Sequence, residues 1–113
     1  MAGQEVNMGG LGWRSFDPVE AVSAVQAISN KDALRQIAFE ARNPEARRMA
    51  LLQLGDKNLM KSFALCDKSA IVRRRMVREL DEIDTIEEIA RKDEDRSVRE
   101  SAERRLKQLE EMD

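Results

Sequence analysis

Histidine and tyrosine are absent from this sequence, cysteine occurs once and proline twice. Without histidine the chain lacks the commonest general base and the commonest transition-metal ligand, which argues against an enzyme and against a resident metal or other cofactor. The single cysteine, Cys66, has no second thiol to pair with and no histidine to activate it. It therefore fits a reducing compartment and reads as a small buried hydrophobe. No CxxC pair, glycine-rich phosphate loop or nucleophile elbow is present. No apolar run approaches the ~20 residues of a membrane span. The N-terminus lacks the basic-then-apolar pattern of a secretory signal, so a cytoplasmic protein is expected. A strong charge of either sign is also missing. Lys plus Arg number 20 against 22 Asp plus Glu, a net charge of -2, so no global pull toward nucleic acid or an anionic membrane exists.

What remains is a chain of 113 residues with 42% hydrophobic, 37% charged and only 4% aromatic content, the profile of a helix-rich domain. The length suits one domain rather than two. Residues 1–16 hold four of the five glycines (Gly3, Gly9, Gly10, Gly12) and no periodicity, which predicts a flexible leader. Trp13 and Phe16 are its exceptions and are expected to fold down over the first helix.

From Asp17 onward the chain repeats every 26 residues. The segments DPVEAVSAVQAI, NPEARRMALLQL, SAIVRRRMVREL and DRSVRESAERRL begin at 17, 43, 69 and 95. Each opens on an N-cap residue (Asp17, Asn43, Ser69, Asp95), and two follow it with proline, whose missing N–H costs nothing there. Ala24, Ala50, Met76 and Ala102, with Ile28, Leu54, Leu80 and Leu106 a turn later, form one apolar stripe at helical spacing, joined by Val72 and Val98. A second series, DALRQIAFEAR (32–42), NLMKSFALCDK (58–68) and DTIEEIARKDE (84–94), opens on Asp32, Asn58 and Asp84 as expected caps and presents Leu34, Ile37 and Ala38 or their equivalents as its inner face. Helix pairs this short cannot bury their apolar faces alone. The expected fold is all-α: an α-solenoid of antiparallel helix pairs with about seven helices, arranged as a half repeat (17–29) and repeats 30–55, 56–81 and 82–113. Gly55 follows Leu54 at a helix end that favours a left-handed turn. The last repeat carries Glu103 where Val25, Leu51 and Val77 precede it, a polar outer face that reads as a terminal cap.

The D-x5-R segments, Asp67 to Arg73 and Asp93 to Arg99, within IVRRRMVREL and SVRESAERRL, resemble the HEAT repeat and its short bacterial relatives, among them the HEAT-like repeats of phycobilin lyases. The resemblance covers residues 17 to 110. It implies a right-handed superhelix in which an Asp closing the first helix pairs with an Arg of the second, making a ladder of Asp67, Arg73, Asp93, Arg99 and Arg47. Ala41 stands where an Asp is expected, so Arg47 needs another partner, with Asp67 the candidate. For function the resemblance implies an adaptor, or an accessory, lyase-like role on a bilin or other small ligand.

One arrangement of side chains stands out. Projected at about 100° per residue, the second helices place Val22, Arg48, Arg74 and Glu100, then Gln26, Leu52, Arg78 and Arg104, opposite the core, flanked by Met49 and Arg75. In a stack of pairs this face is concave, so Arg48, Arg74, Arg75, Arg78 and Arg104 would line a groove with Met49, Leu52 and Ile71 between them. Guanidinium forks and apolar side chains together suit an acidic or amphipathic segment of a partner protein. Two other readings stand beside it. The arginines can pair with Glu45, Glu79, Glu100 and Glu103 as a solvated face, or they can grip a nucleic-acid backbone, against which stand the net charge and the lack of stacking aromatics. The acidic run Asp93, Glu94, Asp95 lacks the glycine and ligand spacing of a calcium loop and reads as a ladder acid and an N-cap. The chain is expected to act by binding, as a monomer, without membrane contact.

Overall fold

The computed structural model describes residues 12–112, which are all-helical, with seven α-helices and no strand among them. Residues 1–11 of the predicted leader lie outside the described residues. The helices are α1 (Pro18–Gln26), α2 (Lys31–Glu40), α3 (Pro44–Leu54), α4 (Lys57–Cys66), α5 (Ala70–Val77), α6 (Ile83–Lys92) and α7 (Arg96–Glu111), preceded by a 3₁₀ turn at Gly12–Arg14. The chain divides into two compact units, Met1–Asp56 and Lys57–Asp113. Their boundary lies next to the predicted repeat junction at 55/56. There Gly55 closes α3 in the left-handed conformation (φ 69°), the only positive φ among the described residues.

In the first unit α2 and α3 pack as a hairpin and α1 packs on α3. Helices joined by so short a loop and packed on each other run back on themselves. The cap residues of α1 and α3 are the predicted ones: Asp17 accepts from the Val19 amide and Asn43 from the Glu45 amide, each at 2.9 Å. Helix α2 starts one residue earlier than predicted. Asn30, not Asp32, accepts the Ala33 amide at 2.9 Å, because its extended backbone ends the preceding turn and aims its side chain along the new axis. Leu34, Ile37, Ala38, Ala50 and Leu51 make the core of this unit with Ala21 and Val25. Trp13 is buried against α1 as expected, whereas Phe16 is 77% exposed, its ring facing the Arg42 guanidinium. Gly12 is what lets the turn approach so closely: a Cβ there would sit 2.9 Å from the Cβ of Ala24.

The second unit consists of two hairpins, α4 with α5 and α6 with α7, whose second helices α5 and α7 pack on each other. Ser69 caps α5 by accepting from the Ile71 amide, and Asp95 caps α7 by accepting from the Ser97 and Val98 amides, again as predicted. Helices α4 and α6 begin before the expected caps Asn58 and Asp84, at Lys57 and Ile83. Glu82, at the N-cap of α6, makes no side-chain cap bond; its carboxylate instead accepts from Thr85 Oγ1 (3.2 Å) and pairs with Lys61 (2.8 Å). Val72, Met76, Val77, Ile86 and Val98 are fully buried, and burying each such side chain stabilises the fold by roughly 1.5–3 kcal/mol. Cys66 departs from its predicted burial. It is the last residue of α4 and is exposed, because the inner face of that helix is completed by Met60, Phe63 and Ala64.

Candidate arginine cleft

The D-x5-R segments work differently from the expected carboxylate pairing within one repeat. Arg73 Nη1 donates to the main-chain carbonyl of Asp67 (2.7 Å), and Arg99 Nη1 to that of Asp93 (2.7 Å). Each Asp carboxylate also shapes its own loop. Asp67 accepts the Ser69 amide and Asp93 the Asp95 amide, both at 2.8 Å, the local turn that aspartate favours. The arginine thus holds the last carbonyl of the preceding helix while the aspartate turns the chain. This explains how Ala41 is accommodated: Arg47 Nη1 donates to the carbonyls of Ala41 (2.9 Å) and Arg42 (3.1 Å), a bond that needs no acidic side chain.

The carboxylate that meets Arg73 comes from the following repeat. Arg73 Nε and Nη2 donate to the two oxygens of Asp93 at 2.9 and 3.2 Å, with both side chains less than 10% exposed. Asp93 raises the pKa of this guanidinium above its ordinary value by hydrogen bonding and charge, against an opposing desolvation, with further attraction from Glu94 and Asp95. Arg47 and Arg73 are buried and Arg99 half-buried, so the three stand on the structural side of the molecule. The acidic run is occupied by this work. Among the described residues no group of three or more Cys, Asp or Glu side chains could hold a metal ion.

The arginines predicted to face a partner separate into two sets. Arg48, Met49 and Leu52 belong to the first unit and are half-buried, and Arg48 is paired with Glu45, as a solvated face would have it. Arg75 is likewise turned to Glu79 (3.3 Å). Ile71 is half-buried on α5. Arg74, Arg78 and Arg104, by contrast, line one cleft of about 320 Å³ in the second unit, together with Ser101, Arg105 and Gln108. Helices α5 and α7 build it: Arg74 lies on α5, Arg78 follows its last turn, and the other four lie on α7. Ser101, buried where the helices meet, donates to the Arg74 carbonyl (3.4 Å), and Arg74 Nη1 donates to Ser97 Oγ (3.1 Å), which fixes the two backbones against each other.

Arg105 was not among the residues expected here, because it falls off the stripe opposite the core. Its signal lies in the repeat. Gln53, two periods earlier, donates to the carbonyls of Val25 and Ile28 at 3.1 Å, and Arg105 Nε donates to that of Leu80 at 2.8 Å. A long donor at this position closes the end of the preceding second helix, satisfying a carbonyl that no helical amide reaches. Arg105 also bonds Asp81 (2.8 Å) and Gln108 (3.4 Å), so it is held in place. Arg78 and Arg104 occupy the same position of consecutive repeats and are exposed. Neither makes a hydrogen bond or ion pair to any described residue. Arg78 has the field of the α5 C-terminus in its favour, worth about 0.3–1 kcal/mol; Arg104, in mid-helix, has no such support.

Four guanidinium groups around one cleft, with Asp81 the carboxylate bonded to them, make a pocket for an anion. Nothing lining it is a nucleophile matched to a base. No helix among the described residues is long and apolar enough to cross a membrane. No protein-family model, no curated protein and no solved structure matches the chain.

Proposed function

We propose that this protein is an interaction module, a short α-solenoid of the HEAT-like kind, that holds an acidic or amphipathic segment of a partner protein against the arginine cleft of its second unit. The observation that carries the reading is the pair Arg78 and Arg104: repeat-equivalent, exposed, without an anionic partner among the described residues, and lining one cleft with Arg74 and the tethered Arg105. Like charges about 9 Å apart repel by roughly 0.5 kcal/mol in a water-like dielectric and more in a lower one. Such a cluster contributes little to folding and gains energy when an anion enters. A solvated face would pair its cations, as Arg48 and Arg75 do. A carboxylate on Arg78 or Arg104 gains a charge-assisted, two-point bond of about 1.5–3 kcal/mol.

The test is a fluorescence-anisotropy titration of a labelled twelve-residue peptide of alternating Glu and Leu, at low and physiological salt. The reading expects binding that weakens with salt and is lost in an Arg78→Glu, Arg104→Glu double variant but kept in Arg48→Glu. Binding that is indifferent to Arg78 and Arg104, or equal for a basic control peptide, would remove the cleft as the functional surface.

A further inference from the structure

Resting on that reading, the donor arrangement of the cleft narrows the kind of acidic segment it takes: we infer that the anchoring group is a phosphoryl group, carried on a phosphorylated serine or threonine of the partner. Each arginine offers five N–H donors in a rigid fork. Arg105 spends its Nε, Nη1 and Nη2 on Leu80, Gln108 and Asp81, and Arg74 spends one nitrogen on Ser97. Arg78 and Arg104 spend none on any described residue, so two complete forks, one from each of two packed helices, border the same space. One fork satisfies both oxygens of a carboxylate, leaving the second fork and both tethered cations without an acceptor. A phosphoryl group brings three acceptor oxygens and a charge of about -1.5 to -2, which occupies two forks at once and balances more of the local positive charge.

The volume of about 320 Å³ holds a phosphoryl group and the side chain that bears it, but no run of nucleotides. The lining offers Ser101 and Gln108 as neutral polar neighbours and no aromatic ring on which a base could stack. These features favour a protein segment over a nucleic acid.

The experiment compares three labelled peptides that share one acidic, leucine-containing sequence and differ at a single central residue: serine, aspartate or phosphoserine. Binding is measured to the full-length protein and to Arg78→Lys, Arg104→Lys and the double variant, with circular dichroism confirming that each is folded. Lysine keeps the charge and loses the fork. The inference expects the phosphoserine peptide to bind at least tenfold tighter than the aspartate peptide. The advantage should shrink in the lysine variants and decline below pH ~6, where the phosphoryl group takes up its second proton. Equal binding of the aspartate and phosphoserine peptides overturns the phosphoryl inference and leaves the acidic-segment reading in place. No binding by any of the three overturns both. Competition by inorganic phosphate at the peptide's own concentration assigns the cleft to a small anion, and equally effective competition by a single-stranded oligonucleotide assigns it to nucleic acid; either result overturns the proposal.

Discussion

Removing the carboxylate of Asp93 separates a pairing between successive repeats from one confined to a single repeat. Asp93 is 6% exposed and grips two nitrogens of Arg73, itself 8% exposed. Asp93→Ala leaves a buried guanidinium whose remaining printed bond is to the Asp67 carbonyl, and it also deletes the acceptor for the Asp95 amide. Breaking one side of a buried pair costs about 3–5 kcal/mol. The structure places this pair in that class rather than among surface pairs worth about 0–1 kcal/mol. Asp93→Asn keeps the turn acceptor while removing the charge, so it should recover part of the loss. Arg99 supplies the comparison: it donates to the Asp93 carbonyl alone, so Arg99→Ala should cost about 1 kcal/mol, one net hydrogen bond. Urea unfolding followed by circular dichroism gives each value. A double-mutant cycle should give a coupling of about 2–3 kcal/mol for Arg73 with Asp93 and below about 0.5 for Arg73 with the Asp67 side chain. A larger coupling to Asp67 than to Asp93, or a loss below about 1 kcal/mol for Asp93→Ala, would refute the reasoning.

Three further outcomes are expected. Gly12→Ala drives a methyl group to 2.9 Å from Ala24 Cβ, so the turn that buries Trp13 should lift, costing about 1–3 kcal/mol as overpacking does; Trp13 is the only tryptophan, and its emission should shift to the red. Gly55→Ala meets open space but a backbone at φ 69°, so it should cost about 1 kcal/mol in thermal or urea unfolding through backbone strain alone. The carboxylates of Glu82, bonded by Lys61, and Asp95, bonded by Ser97 and the Val98 amide, titrate below their ordinary values. Groups depressed in the folded state stabilise it above their unfolded pKa, near 4, and lose that contribution as pH falls through the folded value. Glu82→Gln and Asp95→Asn should therefore flatten the decline in melting temperature below pH ~4 and leave its slope near neutrality unchanged.

The caps of the second helices were legible because each is a local event: Asp17, Asn43, Ser69 and Asp95 bind amides two or three residues on, and a 26-residue period marks them four times. The first helices were displaced by a residue because Asp32 and Asp84 look like caps in sequence, while the direction of the preceding chain assigns that place to Asn30 and Glu82. The D-x5-R spacing pointed to the right residues and the wrong bond. A side chain reaching a carbonyl six residues back and one reaching a carboxylate there leave the same trace in sequence. The link between Arg73 and Asp93, 20 residues apart, emerges only when hairpins pack. For the same reason the arginine stripe overstated the site. Projection onto a helix wheel gathers Arg48, Arg75, Arg74, Arg78 and Arg104 on one face, but glutamates three or four residues away claim Arg48 and Arg75, and the closing role of Arg105 depends on where α5 ends.

The most direct test of the cleft is nitrogen-15 NMR of the arginine side chains during titration with the acidic peptide. The account predicts that the Nε–H resonances of Arg78 and Arg104 move first and furthest, that of Arg74 follows, and those of Arg48 and Arg73 stay in place. Uniform small shifts across all arginines, or shifts led by Arg48 and Arg75, would contradict it.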